Sequence, residues 1–168
     1  MQQVFVGSAY GEITEKGFSK LIDIFHDNFN NSQGVFYDLG SGYGDLCIQV
    51  VKSSKISKSV GIELHKQRYR VASEKLKDLN LSNVSFINSD FRKLDVSDAT
   101  IILSSNEAMP IHLNSDIYNM APKGCLIILG RRPDLAWRKK NPHVIFNKTE
   151  PIEKTYSTTR GNWYVVKE

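Results

Sequence analysis

The chain of 168 residues contains no apolar stretch long enough to cross a membrane. Its longest uninterrupted apolar runs, such as residues 125–129, are far shorter than the roughly 18 residues that a membrane-spanning helix requires. The first residues, MQQVFVGSAYGE, also lack a basic stretch followed by an apolar core, which is the pattern of a secretory signal. We therefore expect a soluble intracellular protein that is not secreted.

Cysteine and histidine are scarce. The two cysteines, Cys47 and Cys125, stand far apart without a C-x-x-C spacing, which favours buried free thiols in a reducing compartment. The four histidines form no i, i+4 pair and no cluster with metal-ligand spacing. We therefore expect no metal site.

Basic charge is concentrated in one short segment. The chain has 22 lysines and arginines against 18 acidic residues, an excess of +4. Residues 131–140 (RRPDLAWRKK) hold five of the basic residues and one acid, which is also +4, so the remainder is neutral on balance. Because local patches affect partner choice more than net charge does, this segment is a candidate contact with an acidic partner. The alternative is a loop whose charges are only solvated.

Hydrophobic periodicity predicts alternating helices and strands. A helix is predicted after Thr14, with one apolar face made of Phe18, Leu21, Ile22, Phe25 and Phe29. Short apolar runs at residues 35–37, 59–64, 84–87, 99–103 and 126–129 predict five strands. Helical patterns follow the first two strands, one through residues 46–51 and one over residues 65–79.

Strands separated by helical patterns predict an α/β fold with a mostly parallel sheet. The end of the chain differs, because only turn-rich polar sequence separates the strand-like residues 144–146 from residues 163–166. We expect an antiparallel hairpin there. We predict a single domain of residues 1–168. It comprises a leading loop and helix (1–34), a cofactor-binding βαβ core (35–130), and a basic loop with the hairpin (131–168).

The sequence D-L-G-S-G-Y-G-D, residues 38–45, follows the first strand and opens a helix. Glycines let the backbone turn sharply and approach a ligand at a helix N-terminus, where free N–H groups favour acceptor oxygens. A dinucleotide fingerprint would need its third glycine at position 45, which is Asp45. We predict a ligand at this loop and argue against NAD. The alternative is an ordinary glycine-rich turn.

Acidic residues follow the next two strands. Glu63 ends the second strand, where a carboxylate can accept hydrogen bonds from both ribose hydroxyls of a nucleoside; alternatively it is a solvated strand-end acid. Asp90 and Phe91 follow the third strand, where an acid can accept from an adenine amino group and a ring can cover the base. Phe91 could equally be a core residue. Together the three strand ends fit S-adenosylmethionine.

Five segments resemble, in order and spacing, the catalytic core of the Disruptor of telomeric silencing (DOT1-like) histone methyltransferases. They are Y-G-E at 10–12, D-L-G-S-G-Y-G at 38–44, G-I-E at 61–63, D-F at 90–91 and S-N-E-A-M-P at 105–110. The resemblance runs from about Ala9 to Tyr164. It implies a Rossmann-like class I fold, with S-adenosylmethionine as cofactor. It also implies a nuclear, non-SET enzyme that methylates a lysine on the globular face of histone H3 in nucleosomes.

The resemblance also implies roles for individual residues. The implied cofactor-binding residues are Tyr10, Glu12, Asp38, Gly40, Ser41, Gly42, Glu63, Asp90, Phe91 and Asn106. The implied catalytic residues are Asn106 beside the transferred methyl, and Tyr164, Trp163 and Met109, which with Phe91 would line an apolar lysine channel. Such a channel disfavours the ammonium, so we expect in-line transfer to a neutral lysine without a dedicated general base.

The chain departs from the family pattern around its key asparagine. The family usually has Asn before it and Phe after it, where this chain has Ser105 and Glu107, and an aromatic residue where Met109 stands. We therefore expect a channel of different shape. The helical segment that precedes the core in cellular members and the long basic tail are absent, which is typical of the stripped cores of viral or protist relatives.

The basic segment is the candidate nucleosome contact of a monomeric enzyme. The residues predicted to bind are Arg131, Arg132, Arg138, Lys139 and Lys140. Arginines suit the carboxylates of the histone acidic patch, and the lysines weakly meet DNA phosphate. Two other functions stay open: a class I methyltransferase of another protein lysine, and a catalytically silent module that binds the cofactor or chromatin.

Overall fold

The computed structural model describes residues 13–28, 33–149, 151–155 and 162–168. Tyr10 and Glu12, predicted to contact a cofactor, and Phe29, predicted on the first helix, lie outside these ranges. Within the ranges, no helix combines the length and the apolar character that a membrane span would need.

The described strands form one sheet in the order β3-β2-β1-β4-β5-β7-β6. Their bounds are β1 (Val35–Leu39), β2 (Lys58–Glu63), β3 (Val84–Asn88), β4 (Ile101–Ser104), β5 (Leu126–Leu129), β6 (Asn147–Lys148) and β7 (Trp163–Val166). Strands β1 to β5 run parallel, and β7 pairs antiparallel with both β5 and β6. The prediction of a parallel sheet closed by an antiparallel hairpin is confirmed. The carboxyl ends of β1 to β5 meet at one edge, called here the carboxyl edge.

Helices and short 3₁₀ turns connect the strands. The helices are α1 (Glu15–Asn28), α2 (Asp45–Ser53), α3 (Lys66–Leu79), α4 (Leu113–Met120) and α5 (Leu135–Lys140), and the 3₁₀ turns are Phe91–Lys93 and Asn106–Ala108. Thr14 begins α1 as expected, because its hydroxyl accepts a hydrogen bond from the backbone N–H of Gly17 (3.2 Å). The hydrophobic pattern of the sequence predicts α1, α2 and α3 but neither α4 nor α5.

Alternating strand residues divide the core between the two faces of the sheet. On β1, Phe36 packs with residues of α1 and α2, whereas Tyr37 and Leu39 pack on the opposite face. On β5, Leu126 and Ile128 likewise belong to the first face, and Ile127 and Leu129 to the second. The second face is covered by α4 and the tryptophan of α5. Both faces of the parallel sheet are therefore buried, as the near-continuous apolar runs of its strands require.

Two predictions for the last third of the chain are wrong. Residues 144–146 are not a strand, because Phe146 turns inward to contact the rings of Tyr118 and Trp137, and pairing with β7 begins only at Asn147. Residues 131–140 are not wholly a loop. Asp134 accepts a hydrogen bond from the N–H of Trp137 (2.8 Å) and so starts helix α5, which Trp137 anchors.

Both cysteines are free and buried, as predicted. Cys47 lies on α2 at 0% exposure, and Cys125 precedes β5 at 1%. Burial raises the pKa of the Cys47 thiol well above its usual value and that of Cys125 to about 12. Both thiols are therefore protonated and chemically inert at neutral pH.

Candidate functional site

The glycine loop turns the chain sharply at the carboxyl end of β1. The N–H groups of Gly40 and Ser41 both donate to the carbonyl of Ile62 on β2 (2.8 and 3.1 Å). Gly40, Gly42 and Gly44 have φ of 96°, 57° and 82°, in the left-handed region that glycine tolerates. The loop is therefore fastened to β2 and leads directly into α2, as the motif predicts.

Met109 covers this loop. A Cβ placed on Gly40 would lie 2.8 Å from the Met109 methyl carbon, so the glycine lets the methionine approach the backbone. Met109 follows the 3₁₀ turn after β4, and its packing connects that turn to the β1 loop. The hydroxyl of Ser104 adds a second connection by donating to the carbonyl of Leu39 (2.7 Å).

Glu63 is a buried carboxylate that ties two elements together. It is 7% exposed. Its Oε2 accepts the N–H of Gly42 (2.9 Å) and its Oε1 accepts the N–H of His65 at the start of α3 (2.7 Å). Each carboxylate oxygen has two acceptor sites, so each oxygen keeps one for a further donor.

Asp38 lies beside Glu63 at the end of β1 and is 5% exposed. Burial and, to a lesser extent, the nearby Glu63 charge raise the pKa of Asp38 to about 7, and the opposing effect of Lys154 is smaller. A buried carboxyl with a raised pKa lacks a sufficient positive partner in the protein alone. The two carboxyls thus lie buried close together beside the glycine loop.

The residues after β3 are engaged within the protein. The Asp90 carboxylate accepts the Arg92 N–H and forms an ion pair with its guanidinium (2.6 Å), and these bonds hold the pKa of Asp90 below its usual value. Phe91 is 8% exposed and packs in the core with Leu39 and Ile62. Phe91 therefore takes the core position that the sequence left open, and the adenine contact of this pair stays a prediction.

Asn106 is fully buried at the centre of a polar cluster. Its Nδ2 donates to Asn114 Oδ1 (2.6 Å) and to the Arg131 carbonyl (2.9 Å), and its Oδ1 accepts the Arg131 N–H (2.7 Å). Asn114, on α4, also has 0% exposure and donates to the carbonyl of Arg132 (3.1 Å). The two amides fix the backbone after β5 against the turn after β4.

The neighbouring Glu107 makes an ion pair across the site. Its Oε1 lies 2.5 Å from Nζ of Lys154, whose side chain is only 3% exposed. The Glu107 carboxyl also packs against Gly130 at the end of β5, where any Cβ would displace it. Lys154 was not among the predicted site residues, because no local pattern in the sequence distinguishes it.

The residues of the predicted lysine channel lie on both faces of the sheet. Trp163 and Tyr164 are consecutive on β7 and so face opposite sides of the sheet. Trp163 packs on the same face as Met109 and Phe91, whereas Tyr164 packs on the face covered by α1. Trp163 and Met109 therefore pack on one face and Tyr164 on the other, and a lysine channel formed by these residues stays a prediction.

Three of the five predicted nucleosome-binding residues have contacts within the chain. The Arg131 guanidinium donates to the Met109 carbonyl (2.6 Å), and that of Arg138 donates to the Pro133 carbonyl (3.1 Å). The guanidinium of Arg132 lies 4.2 Å from the ring centre of Trp163. Arg131 in particular supports the turn after β4 instead of projecting outward. Lys139 and Lys140, at the end of α5, are exposed.

Among the described residues, no group of three or more His, Cys, Asp and Glu side chains is arranged to hold a metal ion. The site instead consists of a glycine loop, two buried carboxylates and the hydrogen-bonded turn at Asn106, all on the carboxyl edge of a seven-stranded sheet. This fold is that of the class I S-adenosylmethionine-dependent methyltransferases.

Solved structures share the fold. Magnesium protoporphyrin IX methyltransferase from Synechocystis, with bound S-adenosylmethionine, superposes with a TM-score of 0.68 at 13% identity, over 90% of this chain and 78% of that one. An RNA methyltransferase from Salinibacter ruber, in complex with S-adenosylhomocysteine, gives 0.64 at 17% identity, over 94% and 95% of the two chains.

The family model described as "Histone methylation protein DOT1" matches residues 2–150, and the chain belongs to this family. A Caenorhabditis elegans protein named histone-lysine N-methyltransferase, H3 lysine-79 specific, is 28% identical over 92% of this chain and 18% of its own length. A Yarrowia lipolytica protein of the same name is 26% identical over 75% of this chain and 28% of its own. The chain thus spans less than a third of these two relatives.

Proposed function

We propose that the chain is an S-adenosylmethionine-dependent lysine methyltransferase that acts, as a monomer, on the globular face of histone H3 in nuclear chromatin. The observation that carries the proposal is the buried carboxylate pair, Asp38 and Glu63, beside the glycine loop of a DOT1-family chain. The names of the two H3 lysine-79 relatives support histone H3 as the substrate.

The residues of the glycine loop fit this cofactor. Its sulfonium and α-ammonium are cationic, and Asp38 is a buried carboxyl whose raised pKa of about 7 would fall beside a positive ligand. Glu63 keeps acceptor capacity on both oxygens for the two ribose hydroxyls, while its backbone bonds hold it in place. Asp38 would therefore bind the methionine end and Glu63 the ribose.

The acceptor side must hold a neutral lysine. When bound, the cofactor would supply a methyl group on a sulfonium; the N–C bond to the lysine would form in line as the methyl C–S bond breaks, leaving a neutral thioether. Deprotonating a free lysine of pKa 10.4 at pH 7 costs about 4.6 kcal/mol, and an apolar passage reduces that cost by desolvating the ammonium. Met109 and Trp163 supply apolar surface on one face, and the clamped Asn106 makes the neighbouring turn rigid. The released proton passes to water.

The basic segment would orient the nucleosome at this passage. Lys139 and Lys140 are exposed at the end of α5, suited to DNA phosphate or histone carboxylates. Arg132, stacked on Trp163, connects the segment to the acceptor side. Because few charges are involved, we propose modest, salt-sensitive binding.

Labelled S-adenosylmethionine tests the proposal when incubated with the chain and intact nucleosomes, free histones or free DNA, followed by mass mapping. We expect label on one H3 lysine, strongest with intact nucleosomes. Glu63→Ala is the inactive control, since it removes the proposed ribose acceptor. Label on DNA alone, or no label despite cofactor binding, would contradict the proposal.

One comparison favours a second candidate, methylation of another protein lysine. A Saccharolobus islandicus protein named protein-lysine N-methyltransferase is 30% identical over 40% of this chain and 43% of its own length. Label on added non-histone proteins in the same assay, with H3 unlabelled, would select this candidate.

A further inference from the structure

The ion pair between Glu107 and Lys154 is among the most buried charge pairs in the described residues. Nζ and Oε1 are 2.5 Å apart, and the two side chains are 3% and 18% exposed. Burying two charges costs hydration that their attraction scarcely recovers, so an apolar pair would serve folding equally well. The pair therefore calls for an explanation other than stability.

One end of the pair is fixed at the 3₁₀ turn Asn106–Ala108 after β4, called here the catalytic turn. Glu107 directly follows Asn106, whose amide makes three buried hydrogen bonds. Gly130 leaves the space that the Glu107 carboxyl occupies. Where the resembled family usually has a phenylalanine, this chain thus places a carboxylate in a defined position.

The other end belongs to a segment that holds the start of α1. Lys154 forms an isolated antiparallel bridge with Ile13, and the N–H of Thr14 donates to the carbonyl of Glu153 (3.0 Å). Gly17 packs so closely on the Glu153 backbone that a Cβ there would collide with it. Residues 13–17 are therefore held against residues 153–154.

Lys154 also acts on the cofactor side. Its ammonium lowers the pKa of the Asp38 carboxyl, against the raising effects of burial and of Glu63. Lys154 thus lies within electrostatic reach of both Asp38, after β1, and Glu107, after β4.

We infer that Glu107 and Lys154 are positioning residues, whose ion pair holds the start of α1 and residues 153–154 against the catalytic turn and so completes the cofactor pocket beside Asp38. The inference rests on the proposed function, because it assigns the pocket to the cofactor of that reaction.

A double-mutant cycle on the full chain tests it, with Glu107→Met, Lys154→Met and the double variant. Each single change leaves one buried charge unpaired and should lower Tm by about 10 °C, and the double variant should recover most of that loss. Affinity for S-adenosylhomocysteine, measured by calorimetry, should nevertheless stay about 10-fold weaker in the double variant. Lys58→Met, which removes an exposed ion pair with Asp98, is the control and should change neither quantity.

Wild-type affinity in a double variant that has recovered its Tm would show that the pair is only structural and would overturn the inference. If the double variant does not fold, Lys154→Arg decides the question. This variant keeps the charge but alters its length and geometry, so we expect a near-normal Tm with several-fold weaker affinity. Wild-type affinity in Lys154→Arg would contradict the inference.

The readout separates this inference from the proposed function, because S-adenosylhomocysteine binds without an acceptor. A wild-type chain that binds S-adenosylhomocysteine but methylates no histone would refute the proposed function and leave the positioning role intact. A wild-type chain that does not bind it would refute both.

Discussion

The two halves of the carboxyl edge satisfy their buried polar groups in opposite ways. In the half after β1 and β2, Asp38 and Glu63 concentrate negative charge. In the half after β4 and β5, Asn106 and Asn114 exchange neutral hydrogen bonds with backbone groups, and Glu107 has its own lysine. The first half therefore gains from a cationic ligand, whereas the second is already ordered without one. Such preorganisation is what the acceptor side of the proposed methyltransferase would need.

The largest effect should follow from removing the negative charge of Asp38, which distinguishes the first half of the carboxyl edge from the second. We expect Asp38→Asn to weaken S-adenosylhomocysteine binding by about 100-fold, because a charge-assisted hydrogen bond to the ligand ammonium becomes neutral. Calorimetric titration measures this. Asp78→Asn, an exposed change on α3, is the matched control.

The same variant should be more stable than the wild type without ligand. The pKa of Asp38 is raised from 3.8 to about 7, so the wild type loses stability as pH rises from about 4 to 7, by up to about 4 kcal/mol. Asp38→Asn should lack that loss, which urea denaturation at pH 4 to 8 would show. An unchanged pH dependence would mean that Asp38 is not the group responsible.

An intermediate effect is expected from removing the hydrogen bonds of Asn114 in the half after β4 and β5. Asn114→Ala removes one acceptor from Asn106 and one donor to Arg132, at a cost of about 2 kcal/mol in unfolding free energy. Methylation should fall about 10-fold while cofactor affinity changes little, because the β1–β2 half is untouched. Asn119→Ala, on the exposed side of α4, should be neutral in both assays.

Equal losses of cofactor affinity and methylation in Asn114→Ala would instead show that the two halves fold as one unit. Chemical denaturation and cofactor titration on the same preparation distinguish these results.

The smallest effect should follow from changing two exposed lysines of the basic segment. Lys139→Glu with Lys140→Glu should reduce nucleosome methylation several-fold at low salt, and the difference should shrink as salt increases. Affinity for S-adenosylhomocysteine should not change. The matched charge reversal, Lys52→Glu with Lys55→Glu, lies on exposed residues in and after α2 and should have no effect. Identical behaviour of the two double variants would remove the basic segment from the binding surface.

The first half of the edge could be predicted from the sequence because its signals are local. The glycine loop follows β1 within the motif, and Glu63 ends β2 as its apolar pattern indicates. Neither requires knowledge of distant contacts, since parallel strands bring their carboxyl ends together.

The sequence could name Asn106 in the second half but could not predict its contacts, because they join residues far apart in the chain. Asn106 contacts the Arg131 backbone, and Glu107 contacts Lys154. No sequence pattern near these residues predicts the two contacts. The separation of Trp163 from Tyr164 was predictable, because alternation on a strand sends neighbours to opposite faces. The family resemblance suggested both as channel residues, and strand geometry places them on opposite faces of the sheet.

The antiparallel placement of β7 has a consequence for how the protein could change over evolution. Lys148 of β6 pairs with Trp163 of β7, which pairs in turn with Leu129, so the connection between these strands begins and ends at the carboxyl edge. Connections tolerate altered length far better than strands do. Substrate range could therefore diversify through the parts of this connection outside residues 153–154, which contact α1 and Glu107, while the glycine loop and Glu63, on other strands, remain as they are.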